Sequence, residues 1–120
     1  MSKSILVIED NEQNLYLVTF ILEKHGYRVL SASNGKLGVT LARQELPDLI
    51  LLDIQLPQMD GYAVARELRR NHGLSDVPIL AVTSYAMAGD RERIIKAGCS
   101  GYLEKPINPD TFIETVRSYL

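Results

Sequence analysis

The chain reads as an α/β protein, a three-layer doubly wound fold on a five-stranded parallel sheet. Five short apolar, β-branched runs alternate with longer stretches of helical period, which makes βαβ units with right-handed crossovers. The first, third and fourth runs are almost continuously apolar, the pattern of strands buried on both faces of a parallel sheet. Between the runs stand helix-capping signals in the right places.

The strands are expected over Ser4–Ile8, Arg28–Ala32, Leu49–Leu52, Ile79–Val82 and Gly101–Leu103. Asn11 is placed to cap a first helix running to about His25, which Gly26 ends. Asn34-Gly35 opens a second that stops before Pro47, and Asp60-Gly61 opens a third that reaches Asn71-His72-Gly73. Gly89-Asp90 lies near the start of a short fourth helix ended by Gly98, with Ile94, Ile95 and Ala97 as its apolar contacts. Asn108-Pro109 supplies a cap and a first-turn proline for the fifth. On a wheel of the first helix, Asn14, Val18, Ile21, Leu22 and His25 fall on the side that should face the sheet, and Tyr16 and Phe20 fall almost opposite as an i, i+4 aromatic pair.

At 120 residues the chain is one domain by size, with an ordinary globular composition of 46% apolar and 23% charged residues. A net charge of −2 leaves no electrostatic footprint for nucleic acid, and Arg66, Arg69 and Arg70 read as a solvated helix face. The single Cys99 has no disulfide partner within the chain, which fits a reducing cytoplasm. The start, Met-Ser-Lys-Ser before four apolar residues, has no signal-peptide core. No apolar stretch approaches the roughly 18–20 residues that span a bilayer, so neither membrane nor nucleic acid is expected as a partner.

The functional signal lies at the carboxyl ends of the strands. Ile5–Ile8 runs into Glu9-Asp10, Leu49–Leu52 into Asp53, Ile79–Val82 into Thr83-Ser84, and Gly101–Leu103 into Glu104-Lys105-Pro106. In open α/β sheets ligands bind outside the carboxyl ends of the strands, so these residues should gather on one rim. Acids, hydroxyls and a lysine there suit a metal ion and a phosphoryl group. Alone, a Thr-Ser pair after a strand is a turn former and an aspartate there is a cap; four such endings together are specific.

The order of elements, with Glu9-Asp10, Asp53 within Leu-Leu-Asp-Ile-Gln-Leu-Pro-Gln-Met-Asp-Gly, Thr83-Ser84 and Tyr102-Leu-Glu-Lys-Pro106, resembles the receiver domain of two-component response regulators over the whole chain, residues 1–120. The single-domain, chemotaxis-regulator-like members are the form it is most similar to. The resemblance implies a flavodoxin-like (βα)5 fold with strand order 2-1-3-4-5. It implies that Asp53 takes a phosphoryl group from a phosphohistidine of a histidine kinase or phosphotransfer domain. Glu9, Asp10, Asp53 and the backbone carbonyl of Gln55 would hold Mg²⁺, with Mn²⁺ tolerated, because a divalent cation offsets the repulsion between carboxylate and phosphoryl group. Lys105 would supply fixed positive charge before a commonly cis Lys-Pro bond, and Thr83 a hydroxyl. Thr83 and Tyr102 would form the switch that alters the surface of helix 4, strand 5 and helix 5, and so the binding of a downstream protein. The small-residue loop from Ser84 to Asp90 suits such rearrangement. Tyr16 and Phe20 are the candidate docking patch for the phosphodonor.

The resemblance implies a signalling protein of the cytoplasm, whose only catalysis is its own phosphotransfer and slow autodephosphorylation. It would be a single-domain regulator or a phosphorelay intermediate. The alternatives are a receiver from a larger response regulator or hybrid kinase, or a phosphorylation-independent interaction module. A nucleotide- or flavin-binding protein would need the Gly-rich phosphate loops that are missing here. An aspartate-nucleophile phosphatase would want an acid where Gln55 stands. Two departures from the commonest pattern, Glu9 where a second aspartate is frequent and Gln55, bear on the lifetime of the phosphoaspartate.

Overall fold

Every strand of the sheet is parallel to its neighbours, in the strand order 2-1-3-4-5. The computed structural model describes residues 2–56, 60–84 and 88–120, the side chain of residue 88 excepted. In chain order the elements are β1 (Ser4–Ile8), α1 (Glu12–Lys24), β2 (Arg28–Ala32), α2 (Gly35–Glu45), β3 (Leu49–Asp53), α3 (Gly61–Arg69), a 3-10 turn (His72–Leu74), β4 (Ile79–Thr83), α4 (Ala88–Lys96), β5 (Gly101–Glu104) and α5 (Pro109–Ser118). The expected (βα)5 order is therefore met element by element. Of the expected loop from Ser84 to Asp90, residues 85–87 lie outside the described residues and Ala88–Asp90 already form the first turn of α4.

The strands alternate their side chains between two cores. Leu6, Ile8, Ile50, Leu52, Ile79 and Ala81 face one, packed by α2, α3 and α4. Ile5, Val7, Leu49, Leu51 and Leu80 face the other, packed by Val18, Ile21 and Leu22 of α1 and Phe112, Ile113 and Val116 of α5. Period-2 alternation with both faces apolar gives the continuous runs of the sequence. The central strands β3 and β4 are buried along their whole length.

The caps act where the sequence placed them. Asn11, Asn34, Asp60 and Asn108 each accept a backbone N–H from the first turn of their helix. Three local readings change. His25 does not face the sheet: α1 ends at Lys24, and His25 is its exposed C-cap, with Nδ1 2.8 Å from the Ile21 carbonyl oxygen. Ile95 is 55% exposed, because 100° of helix rotation turns it away from its buried neighbour Ile94. The third helix stops at Arg69, where the Asn71 side chain donates to the Glu67 carbonyl at 3.0 Å and the chain turns into the 3-10 segment.

Arg69 also leaves the solvated face expected for it. Its Nε donates to the Gly98 carbonyl at 2.8 Å, and Nη1 donates to the carbonyls of Leu74 (2.8 Å) and Val77 (2.6 Å). One guanidinium thus ties the end of α3 to the turns before β4 and β5. Arg70 stays on the surface, paired with Glu67 at 2.9 Å.

Gly61 fixes the loop between Asp53 and α3. Its N–H donates to the Ile54 carbonyl at 3.2 Å, and a Cβ there would lie 2.7 Å from that oxygen. Only glycine allows α3 to start so close to the end of β3. Gly61→Ala is expected to destabilise the fold by about 1–3 kcal/mol, since backbone has to move to admit the methyl. Urea denaturation of the metal-free protein measures this.

Candidate functional site

The polar residues that end the strands are held by the sheet ladder itself. Asp53 is the last residue of β3 and Thr83 the last of β4, each one residue further into the strand than the apolar runs alone indicate. Asp53 pairs in register with Val82 and Thr83 with Glu104, so their backbones belong to the rigid part of the molecule. Glu9 comes directly after β1, and its N–H donates to the Ala32 carbonyl of β2 at 3.0 Å. Lys105 comes directly after β5; its N–H donates to the Thr83 carbonyl at 2.9 Å, and the Lys105–Pro106 bond is cis.

These elements bring together what the sequence separates by nearly a hundred positions. Carboxylate oxygens of Glu9, Asp10 and Asp53 all lie within 4.8 Å of one another. Glu9 and Asp53 are buried and Asp10 is exposed. Lys105 Nζ is 3.2 Å from Asp53 Oδ2 and 3.9 Å from Glu9 Oε1. The other Asp53 oxygen, Oδ1, accepts the Gln55 backbone N–H at 2.9 Å, which fixes the carboxylate between a cation and a loop amide. Gln55 Oε1 in turn accepts the Ser84 N–H at 3.4 Å, linking the loops after β3 and β4. Thr83 is buried at the base of the same rim, 2% exposed.

Crowding and burial show in the protonation of Glu9. Desolvation, then its hydrogen bond and charge repulsion with Asp53, push its carboxyl up to about 7, against the opposing pull of Lys105 and the Asn11 amide. A carboxyl that keeps its proton near neutrality marks a site short of positive charge. An all-oxygen donor set of three acids, one open to water, fits a hard divalent cation such as Mg²⁺.

Tyr102 lies on β5, two strands from Asp53 across β4, half-buried against the core under α4, with its ring 5.5 Å from the guanidinium carbon of Arg91. Tyr16 and Phe20 stand apart from the acid cluster on the outer side of α1, 73% and 55% exposed, their rings 6.4 Å apart and nearly parallel. Sequence reasoning missed two features. Arg91 is one, since nothing along the chain links it to β5. The other is a cavity of about 330 Å³ beside Asp53 and Lys105, walled by Leu17, Val18, Ile107 and Phe112. Its walls come from α1 and the segment into α5, and read in sequence as ordinary core.

Fold and rim together define a phosphoacceptor signalling module. Residues 5–117 match the family model of the response regulator receiver domain, and the chain belongs to that family. It is a signalling protein of two-component systems, a class that works with histidine kinases and downstream targets, and not an enzyme in the usual sense. The polar-differentiation response regulator DivK of Brucella anthropi is 46% identical over 120 residues, covering 100% of this chain and 98% of that protein. Among solved structures, the receiver domain of the sensor histidine kinase PA1611 from Pseudomonas aeruginosa, with a magnesium ion coordinated in its active site cleft, is 35% identical with a TM-score of 0.91, covering 99% of this chain and 98% of that one. Chemotaxis protein CheY4 of Vibrio cholerae superposes with a TM-score of 0.96 at 26% identity, each chain covered in full. No helix among the described residues is long and apolar enough to cross a membrane.

The Glu9 carboxyl gives a stability signature in metal-free protein. Unfolded, it loses its proton near the ordinary value of 4.5, and folded it keeps it to about 7. Between those values the folded state holds the extra proton, so its stabilising effect is complete below the window and lost as pH rises through it. Stability should fall by up to about 1.4 kcal/mol per pH unit across this range. Glu9→Gln should flatten the slope, as read by urea denaturation at several pH values in chelator.

Proposed function

We propose that the chain is a phosphorylation switch centred on Asp53, a single-domain regulator or phosphorelay intermediate spanning residues 1–120. The observation that carries this is the placement of Asp53, one oxygen on the Gln55 amide and the other 3.2 Å from Lys105 Nζ, inside the acid cluster. An Asp53 oxygen attacks the phosphorus of a phosphohistidine in line. The new P–O bond makes an acyl phosphate, the P–N bond breaks, and its electron pair stays on the imidazole nitrogen of the donor. Glu9, Asp10, Asp53 and the Gln55 backbone carbonyl would hold Mg²⁺, with Mn²⁺ as a tolerated substitute; when bound, the ion offsets the repulsion between carboxylate and phosphoryl oxygens.

Lys105 then binds a phosphoryl oxygen with the charge it now directs at Asp53 and Glu9. Thr83 donates its hydroxyl to another. Its turn toward the phosphoryl group opens space behind it, and Tyr102 moves inward, leaving Arg91. The surface of α4, β5 and α5 changes with it, and a downstream protein reads the difference. The signal ends when water attacks the phosphorus, the P–O bond to Asp53 breaks and inorganic phosphate leaves the restored carboxylate; Gln55, by hydrogen-bonding or crowding that water, bears on how long the signal lasts. The phosphodonor, a histidine kinase or phosphotransfer protein, docks on Tyr16 and Phe20, and the setting is the cytoplasm.

The DivK relative supports the single-domain reading, because this chain covers 98% of it. A second reading, a receiver belonging to a hybrid kinase, is favoured by the 35% identity to the PA1611 receiver.

Incubation with Mg²⁺ and acetyl phosphate should add about 80 Da to the intact protein. Asp53→Asn should abolish the gain, and Lys105→Ala should slow it by roughly 10²-fold. No gain with the native chain would sink the reading. Replacing Tyr16 and Phe20 together with serine should slow transfer from a histidine kinase several-fold and leave labelling by acetyl phosphate unchanged. Equal loss in both assays would remove the docking patch.

A further inference from the structure

α1 and α5 lie side by side over one face of the sheet, and between them runs a groove of about 620 Å³. Leu17, Phe20 and Ile113 form its apolar surface; Lys24, Asp110 and Arg117 are among its polar walls. The exposed aromatic pair of Tyr16 and Phe20 stands along α1, with Leu17 39% exposed beside it. Three large apolar side chains on one helix face make a patch that a partner is expected to cover.

The charges of the groove are sorted along its length. Both helices begin at the carboxyl edge of the sheet, α1 after β1 and α5 after β5, and run back in the same direction. Asp110 is in the first turn of α5, with Glu114 one turn on, while Arg117 and Lys24 are in the last turns of their helices. One end of the groove is acidic and the other basic. None of these four side chains has an ion-pair partner among the described residues. A groove polarised in this way is complementary to itself turned end for end. That is the operation of a two-fold axis crossing both helices at mid-length, which lays each helix antiparallel on its own copy.

The spacing fits the operation. Asp110 and Arg117 are seven residues apart, two turns or about 10 Å, so each meets its opposite in the other copy. Leu17 and Lys24 share that spacing on α1, which sets Leu17 against the aliphatic stem of the other copy's Lys24 and brings Phe20 to the axis. We infer that a second copy of this chain covers the α1–α5 face, forming a two-fold dimer with Phe20 at its centre and an Asp110–Arg117 pair toward each end. Glu114 falls near the axis against its own copy, an unfavourable contact. The net charge of −2 leaves little overall repulsion between copies. Tyr16 and Phe20 are also the proposed docking patch for the phosphodonor, so the closed dimer excludes that donor. This consequence rests on that reading; the dimer does not.

Sedimentation velocity from about 10 μM to about 1 mM tests the dimer, with labelling by acetyl phosphate as the check that each variant is folded. A concentration-dependent dimer is expected, lost in Phe20→Ser and weakened about tenfold in Asp110→Arg. Asp110→Arg with Arg117→Asp should restore the affinity to within about threefold, and Glu114→Gln should tighten it. A single monomeric species at every concentration overturns the inference, as does a dimer indifferent to charge reversal or unrepaired by the double reversal. If the chain is monomeric and the Tyr16, Phe20 double variant still loses only transfer from the kinase, the groove belongs to the donor and the dimer reading alone fails.

Discussion

Carboxylates repel, and folding this chain forces three of them to within 4.8 Å. At an effective dielectric constant near 20, two unit charges at that distance repel by about 3 kcal/mol. The sheet imposes the approach, because β1 and β3 are neighbours and both end in acids at the same edge. Lys105, reaching Asp53 at 3.2 Å and Glu9 at 3.9 Å, offsets part of it. Three carboxylates and one ammonium still leave two negative charges, the amount a divalent cation cancels. Without it, burial first and then the hydrogen bond and charge of Asp53 keep a proton on Glu9, whose carboxyl rises to about 7. The charge deficit and the fit of the acid cluster to a divalent cation thus have one origin, and the rest of the fold serves to hold that rim together.

How the rim is held explains what was legible in the sequence and what was not. The strand runs and caps obey local rules of periodicity and hydrogen bonding, so they could be read in order. The apolar pattern ends one residue short at β3, β4 and β5, because it stops at the first polar residue while the ladder does not. Asp53 and Thr83 are buried polar residues whose backbones are paired like any core residue. That combination stores no signal in composition.

Other features depend on tertiary contact and left no local trace. Arg69 looks like its neighbours Arg66 and Arg70, yet it turns inward onto four carbonyls that come from two different loops. No period distinguishes it, since what calls it in is a set of unsatisfied carbonyls elsewhere in the chain. Arg91 and Arg93 are similar: both come from α4, one over Tyr102 at 5.5 Å and the other over Tyr62 at 4.3 Å. His25 failed for the opposite reason. The wheel assumed a helix one residue longer than the chain makes.

Those two cation–π contacts bear on how α4 is held. Among its described side chains α4 buries only Ile94, so the helix is held less by core packing than α1 or α5. Arg91 and Arg93 clasp aromatic rings on either side of it, on β5 and α3, with contacts worth about 0.5–1 kcal/mol each at exposed sites. Such contacts are strong enough to favour one position of the helix and weak enough to be exchanged when a neighbour moves. Tyr102 belongs to both systems: it is the ring under Arg91 and the residue two strands from Asp53 across β4. A small displacement at the carboxyl edge therefore has a short physical route to an element whose position is only lightly fixed. On the proposed reading, with a phosphoryl group on Asp53, the acid rim supplies the energy difference between states, and the weak anchoring of α4 lets that difference become a change of shape.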